Sequence, residues 1–357
     1  MLTLEDLGWT ARFAEAFETH RAGGVVPARV SLEHTHIYRV LLPDGERLAR
    51  VAGRVRHAAS SRADFPAVGD WVAVEIPASG DARIRAVLPR ATQFSRRAAG
   101  NPTEPQVLAA NVDVVFLISG LDHDFNPRRI ERYLVTAWDS GATPVIVLNK
   151  ADLVDDVGPF VREAETIAQG VPVIAVSVRR LESMEALRGL LRRGRTAVLL
   201  GSSGVGKSSI ANALIGEKVL RTREVRASDS RGRHTSASRQ LVLLPGGGIL
   251  IDTPGMRELQ LWDTGDAVAG AFADIESIGE GCRFRDCRHA SEPGCAVIAA
   301  VEAGTLGAAR LESYRKLQAE QAFQASQQDE RARLERKRRF KVMTKAAEKH
   351  IREKRDG

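Results

Sequence analysis

At 357 residues the chain exceeds one ordinary domain and suits two or three. Its 43% hydrophobic and 27% charged residues describe a globular protein in water, and no run approaches the roughly eighteen apolar residues of a membrane-spanning helix. The net charge of +7 is unevenly spread: 331–357 carries twelve Lys/Arg against four Asp/Glu, and the stretch Arg29 to Arg97 twelve Arg against seven acids, so two basic ends flank a mildly acidic centre and point to a polyanionic partner.

The opening residues Met1-Leu2-Thr3-Leu4-Glu5-Asp6 lack the basic start and apolar core of a signal peptide, so a cytoplasmic location is expected, with no membrane partner. Leu4, Leu7, Trp9, Phe13 and Phe17 recur at near-helical spacing and predict a short amphipathic helix. From Val25 the pattern changes to short strands at Val25–Leu32, Ile37–Leu42, Leu48–Val55, Asp70–Ile76 and Ile84–Leu88, separated by turns such as Pro43-Asp44-Gly45. Five short strands in about seventy residues fit a small OB-type barrel. Its arginines serve RNA binding on one reading and simple solvation on the other, since stacking aromatics are few. Asn101-Pro102-Thr103-Glu104-Pro105 reads as a linker.

Beyond it, apolar strands at Val112–Ser119, Pro144–Leu148, Pro172–Ser177, Thr196–Leu200, Leu241–Leu244 and Ile249–Asp252 alternate with helices near Pro127–Trp138, Gly158–Gln169, Met184–Arg193 and Lys207–Ile215. Such alternation predicts an α/β domain with a mostly parallel sheet. Three loops on it carry chemistry. Asn149-Lys150-Ala151-Asp152 fits N-K-x-D, whose carboxylate accepts from guanine N1–H and N2–H₂ together and rejects adenine, which has no donors there. Ser177, ending the next strand, is placed where such proteins bring backbone to the guanine O6.

Gly201, Ser202, Ser203, Gly204, Val205, Gly206, Lys207 and Ser208 fit G-x-x-x-x-G-K-[ST] between a strand and a helix that continues through Ser209. There the backbone N–H groups cradle phosphates, the lysine reaches the β/γ oxygens, and the hydroxyl of Ser208 holds Mg²⁺. The chain writes nine of its 52 basic residues as Lys, five of them in the last twenty-one positions, so Lys207 and Lys150 stand out where a compact ammonium is required. Asp252-Thr253-Pro254-Gly255 fits D-x-x-G, in which Asp252 holds Mg²⁺ through water and the Gly255 N–H meets the γ-phosphate. The order is unusual. In an ordinary GTPase the phosphate loop precedes D-x-x-G and N-K-x-D comes last; here N-K-x-D comes first, which circular permutation of one sheet explains.

Cys282, Cys287, His289 and Cys295 supply a Cys₃His set with no open position, as in a structural zinc site, and the chain has no other cysteine. Arg283, Arg285 and Arg288 between them either touch RNA or are solvated. In the tail, Arg333, Lys337, Lys341, Lys345 and Lys349 recur at every fourth position. That stripe suits a helix folding on a phosphate backbone, or else a disordered solubilising tail.

Permuted motif order and Cys/His spacing together resemble the bacterial small-ribosomal-subunit-dependent GTPase A (RsgA/YjeQ) family across nearly the whole chain. The resemblance implies an OB-fold barrel (25–98) after an N-terminal helical extension (1–24), a permuted GTPase domain (99–264), a zinc-binding domain (265–305) and a basic helical extension (306–357). It implies GTP hydrolysis to GDP and phosphate, stimulated by the 30S subunit during its late maturation, with 16S rRNA as partner, one Zn²⁺ per chain, Mg²⁺ with GTP, and a monomer. Arg231-Gly232-Arg233-His234-Thr235-Ser236 is similar to the family's G-R-H-T switch, in which Thr235 reaches Mg²⁺ and His234 is the candidate for positioning water. Met256 follows Gly255 where Ras-type enzymes place a glutamine, so slow intrinsic hydrolysis is expected and a partner must complete the site. A nucleotide-switched RNA-binding scaffold with little turnover is the rival reading.

Overall fold

The structure is a computed structural model that describes residues 2–21, 24–34, 37–98, 101–122, 124–216, 239–252, 272–319 and 322. Five strands close the N-terminal barrel: β1 (Val26–His34), β2 (Ile37–Leu42), β3 (Gly45–Val51), β4 (Trp71–Glu75) and β5 (Ala82–Val87). They follow one another around the barrel as β1-β2-β3-β5-β4 and back to β1, with β3 and β5 parallel. Alternation in β2 sends Tyr38, Val40 and Leu42 inward against Val30, Val72, Val74 and Ile84. A shift in register between Val30 and Leu32 bends β1, so that it also reaches the neighbouring sheet.

Two expectations fail here for local reasons. The third strand ends at Val51 instead of Val55, and Gly53–Ala58 forms helix α2, from which Val55 packs on the barrel core while the other residues of the run stay exposed. The supposed linker at Asn101–Pro105 is strand: β6 (Gln93–Ala98) and β7 (Asn101–Ala110) pair as a two-stranded ribbon. A two-stranded ribbon leaves each strand one unpaired side, where a proline costs no ladder bond.

The predicted N-terminal helix is split. A 3₁₀ turn at Glu5–Leu7 ends on Gly8, at φ +85°, before helix α1 (Ala11–Glu18). Trp9 meets Trp71 edge-on with ring centroids 4.6 Å apart, and Leu7, Phe13 and Phe17 bury against Trp71 and Leu88. Beneath them lies Arg29, fully buried. It donates from Nε to Gly69 O at 3.2 Å, from Nη2 to Asn111 O at 3.0 Å, and from Nη1 to Leu7 O. One guanidinium thus ties the N-terminal segment, the barrel and the entry to the α/β unit together, although burial pulls its pKa down to about 10.

The α/β unit comprises β8 (Val114–Gly120), α3 (Pro127–Ser140), β9 (Thr143–Asn149), α4 (Gly158–Ile167), β10 (Val173–Ala175), α5 (Glu185–Leu190), β11 (Thr196–Gly201), α6 (Lys207–Ile215), β12 (Gln240–Leu243) and β13 (Ile249–Asp252). The strand order is β10-β9-β8-β11-β13-β12, all parallel except β12. The strands read as continuous apolar runs because both faces are covered: Val115, Leu117, Ile146 and Leu148 face α3 and α4, while Phe116, Ile118, Val145 and Val147 face α5 and α6. Helix α3 starts at Asn126, whose Oδ1 accepts from Arg129 N at 3.2 Å, has Pro127 in its first turn, and ends on left-handed Gly141. Helix α5 stops at Leu190, short of the expected Arg193. There the chain turns through Gly194 (φ +74°), where an added Cβ would stand 2.3 Å from Glu5 O. The barrel joins the sheet through a β1–β12 pairing at Leu32 and Gln240.

Helices α7 (Ala273–Gly279), α8 (Ala296–Glu302) and α9 (residues 308–319) form a third unit, whose core of Phe272, Ile275, Val297, Leu311 and Tyr314 includes Val135 of α3. Arg310 fastens it to that helix. Its Nε and Nη2 each donate to Asp274 at 2.7 Å, Nη1 donates to Glu131 Oε1 at 2.9 Å, and its guanidinium lies 4.8 Å from the Phe272 ring centroid.

Arg29→Ala removes the donor to the buried Leu7 and Asn111 carbonyls, while Gly69 O keeps Asn111 Nδ2 at 3.1 Å, and opens a cavity, so a loss of about 3–5 kcal/mol in unfolding free energy is expected by denaturant titration. A loss under about 1 kcal/mol would show that Arg29 does not join the units.

Candidate guanine-nucleotide site

Strand order reverses between β8 and β11: from β8 the chain builds outward to β9 and β10, and from β11 the other way to β13. Loops at the carboxyl ends of strands on either side of such a reversal open a crevice. The loop after β11 is the predicted phosphate loop. Gly204 and Gly206 take φ of +78° and +101°, and α6 starts at Lys207, as the sequence predicts. Both ends of the loop are crowded: an added Cβ at Gly201 would lie 2.5 Å from Ile118 O, and one at Gly206 would lie 2.3 Å from Asn149 Nδ2. Lys207 Nζ donates to Gly201 O at 2.7 Å and to Ser202 O, so its ammonium lies along the loop. Ser203, Ser208 and Ser209 are exposed at the loop and on the first turn of α6, and Val205 is buried.

The guanine motif meets this loop directly. Asn149, the last residue of β9, is buried and donates from Nδ2 to Val205 O at 2.8 Å. Lys150 adopts φ +64°, which turns its side chain back so that Nζ donates to Gly204 O at 2.9 Å. Asp152 accepts from Ser177 Oγ at 2.6 Å and from Arg179 Nη1 at 3.3 Å. The Ser177 hydroxyl, ahead of the arginines, holds the Asp152 carboxyl below its ordinary pKa, so it is ionised at neutral pH. Ser177 is itself fixed, its N–H donating to Ser183 Oγ at 2.9 Å. The structure therefore joins Asn149 and Lys150 to the phosphate loop and Asp152 to Ser177, with the Asp152 carboxylate ionised beside them.

Asp252 closes β13 opposite Gln240, on the strand parallel to β11. The remaining predicted residues His234, Thr235 and Gly255 lie outside the described residues, as do Met256 and the basic tail 331–357. Two residues escaped the sequence reading. Asp122 and Asp124, on the turn after β8, reach Lys150 and Ser202. Their position after a strand beside the reversal was the available signal.

Cys282, Cys287, His289 and Cys295 converge as expected, with ligand atoms within 4.8 Å of one another. Cys282 Sγ lies 3.8 Å from Cys295 Sγ and 3.5 Å from His289 Nδ1, which is 3.4 Å from Cys295 Sγ. A tetrahedron with Zn–S bonds of about 2.3 Å has edges of about 3.8 Å, so the donor set fits zinc, and the sulfurs are too far apart for a disulfide. His289 takes φ +55° to turn its ring inward. One zinc is compatible with these four residues, and it would supply cross-linking of the loop with no position left for chemistry.

Fold and site define a circularly permuted phosphate-loop GTPase. The family model for the RsgA GTPase matches residues 87–262. The chain is 48% identical over 354 residues to a small ribosomal subunit biogenesis GTPase RsgA of Opitutus terrae, covering 96% of each. It is 42% identical to the protein of that name in Syntrophotalea carbinolica over the full length of both. Among solved structures, YjeQ from Thermotoga maritima superimposes with a TM-score of 0.63 at 27% identity, covering 84% of this chain and 99% of that one. YloQ, described as a circularly permuted GTPase, shares the fold with a TM-score of 0.60, over 85% of this chain and 97% of its own. The chain belongs to the RsgA GTPase family, and it is a GTPase.

Gly206→Ala should lower nucleotide affinity by about tenfold or more, since it both strains a left-handed position and displaces Asn149. Fluorescent-GDP titration checks this, and unchanged affinity would contradict the crowding. Metal analysis should return one zinc per chain, lost in Cys295→Ser.

Proposed function

We propose that the chain hydrolyses GTP to GDP and phosphate in late maturation of the small ribosomal subunit, acting in the cytoplasm as a monomer, and that the 30S subunit with its 16S rRNA stimulates turnover. The observation that carries this reading is the Asn149 amide on Val205 O, which sets the guanine-reading loop and the phosphate loop in one crevice. The relatives' names supply the subunit. The chain acts through barrel 25–98, GTPase domain 99–264, zinc module 265–305 and basic extension 306–357.

In this reading Asp152 selects guanine by accepting from N1–H and N2–H₂, with Asn149 holding the loop and Ser177 the backbone near O6. Lys207 exchanges its loop carbonyls for β/γ-phosphate oxygens and, with the loop amides from Gly201 to Ser209, stabilises the negative charge that develops there. Ser208, Thr235 and Asp252 would hold Mg²⁺, which would supply neutralisation of the phosphate charge. Gly255 meets the γ-phosphate, and His234 orients the attacking water. The zinc module and the basic segments at both ends dock on rRNA phosphates.

The experiment compares GTP turnover with and without purified 30S subunits. Stimulation of severalfold or more is expected. Tight GTP binding without stimulation would favour the nucleotide-switched scaffold, a reading that Met256 keeps in play. Asp152→Asn should weaken GTP selectively while sparing zinc content; retained preference for GTP over ATP would remove Asp152 from base recognition.

A further inference from the structure

Two carboxylates stand beside a loop built for phosphates, where like charge should be unwelcome. Asp124 Oδ1 accepts the hydroxyl of Ser202 at 2.6 Å and the Arg129 guanidinium at 2.9 Å. Asp122 Oδ2 accepts from Lys150 Nζ, the same ammonium that donates to Gly204 O at 2.9 Å, and Asp122 Oδ1 accepts the Asp124 N–H at 3.1 Å. The turn is therefore closed on itself and touches the phosphate loop at Ser202 directly and at Gly204 through one lysine. Each carboxylate is also matched by a cation, Arg129 or Lys150, which offsets most of the repulsion toward a triphosphate.

What remains once charge is balanced is geometry. The phosphate loop is anchored beneath by Asn149 on Val205, and its crest between Ser202 and Gly204 is met by this turn from the side of β8. A cradle of backbone N–H groups binds phosphate only when those groups converge, and a crest free to rotate loses that convergence before any chemistry. We propose that Asp124, acting through Ser202, and Asp122, acting through Lys150, are positioning residues that hold the phosphate loop in its nucleotide-binding shape. This rests on reading residues 201–208 as the triphosphate cradle.

The sign of the effect separates positioning from electrostatics. Asp124→Ala removes a negative charge and leaves Arg129 unbalanced beside the site, so charge alone predicts tighter GTP binding. Positioning predicts the reverse: KM for GTP and the rate of fluorescent-GDP release both rise by about tenfold, with kcat little changed. Asp124→Asn, which keeps an acceptor for the Ser202 hydroxyl, should restore most of the affinity. Ser202→Ala should weaken binding comparably, and adding Asp124→Ala to it should add little. Zinc content and melting temperature, unchanged throughout, exclude unfolding. If wild-type protein binds no GTP, the cradle reading falls. If it does, and Asp124→Ala binds as tightly as wild type or more tightly, or Asp124→Asn fails as Ala does, the positioning role is overturned.

Discussion

A single buried amide closes the nucleotide crevice. Asn149 sits at the end of β9, two strands away from β11, yet its Nδ2 reaches across β8 to Val205 O at 2.8 Å. The contact requires a glycine at 206, because any side chain there would overlap the amide, and it requires β8 to end early enough for the two loops to meet over it. Buried as it is, the Val205 carbonyl would otherwise lack this partner, at a desolvation cost of about 1–3 kcal/mol. The N-K-x-D loop and the phosphate loop are therefore linked by a single side-chain-to-backbone contact in the chain itself. Circular permutation preserves this because it changes only which strands are joined, not which lie side by side.

Helix α3 has a matching role on the other side of the domain. Its first turn supplies Arg129 to Asp124 next to the phosphate loop, while Glu131, two residues on and so round the other side of the helix, and Val135, about one turn beyond Glu131, hold the zinc module. These residues lie within two turns of one helix, capped by Asn126 and stopped by Gly141, so the two contacts share a continuous element. The barrel is secured with comparable economy, through Arg29 and its three carbonyl acceptors, where a carboxylate partner would have served only one neighbour.

How much of this could be read in advance follows the sequence separation of the contacts. The α/β strands were legible because burial on both faces writes each one as an unbroken apolar run, and α6 was legible from residue 207 because glycine before lysine marks where the loop ends. The zinc ligands fall within fourteen residues and were equally plain. The ribbon at 93–110 was not, since prolines argue against strand unless one edge is known to be unpaired. Asp124 and Ser202 are 78 positions apart, Arg29 and Asn111 are 82, and Arg310 and Glu131 are 179. No local pattern distinguishes such residues from ordinary solvated charges, because their meaning arises only when the strands are laid side by side.

The third unit is attached to the domain twice, and the two attachments differ in kind. Covalently, it follows β13, the strand that ends in Asp252. Through space, it is clasped to α3 by Arg310, whose ion group is largely shielded from solvent, and by the exposed Arg128–Glu312 pair at 2.7 Å. An exposed pair contributes about 0–1 kcal/mol and yields readily, whereas separating Arg310 from the shielded Glu131 leaves that carboxylate as uncompensated buried charge at a cost of about 3–5 kcal/mol. The clasp on α3 is thus the fixed end. Sliding the third unit along α3 would first have to break the contact between Arg310 and Glu131.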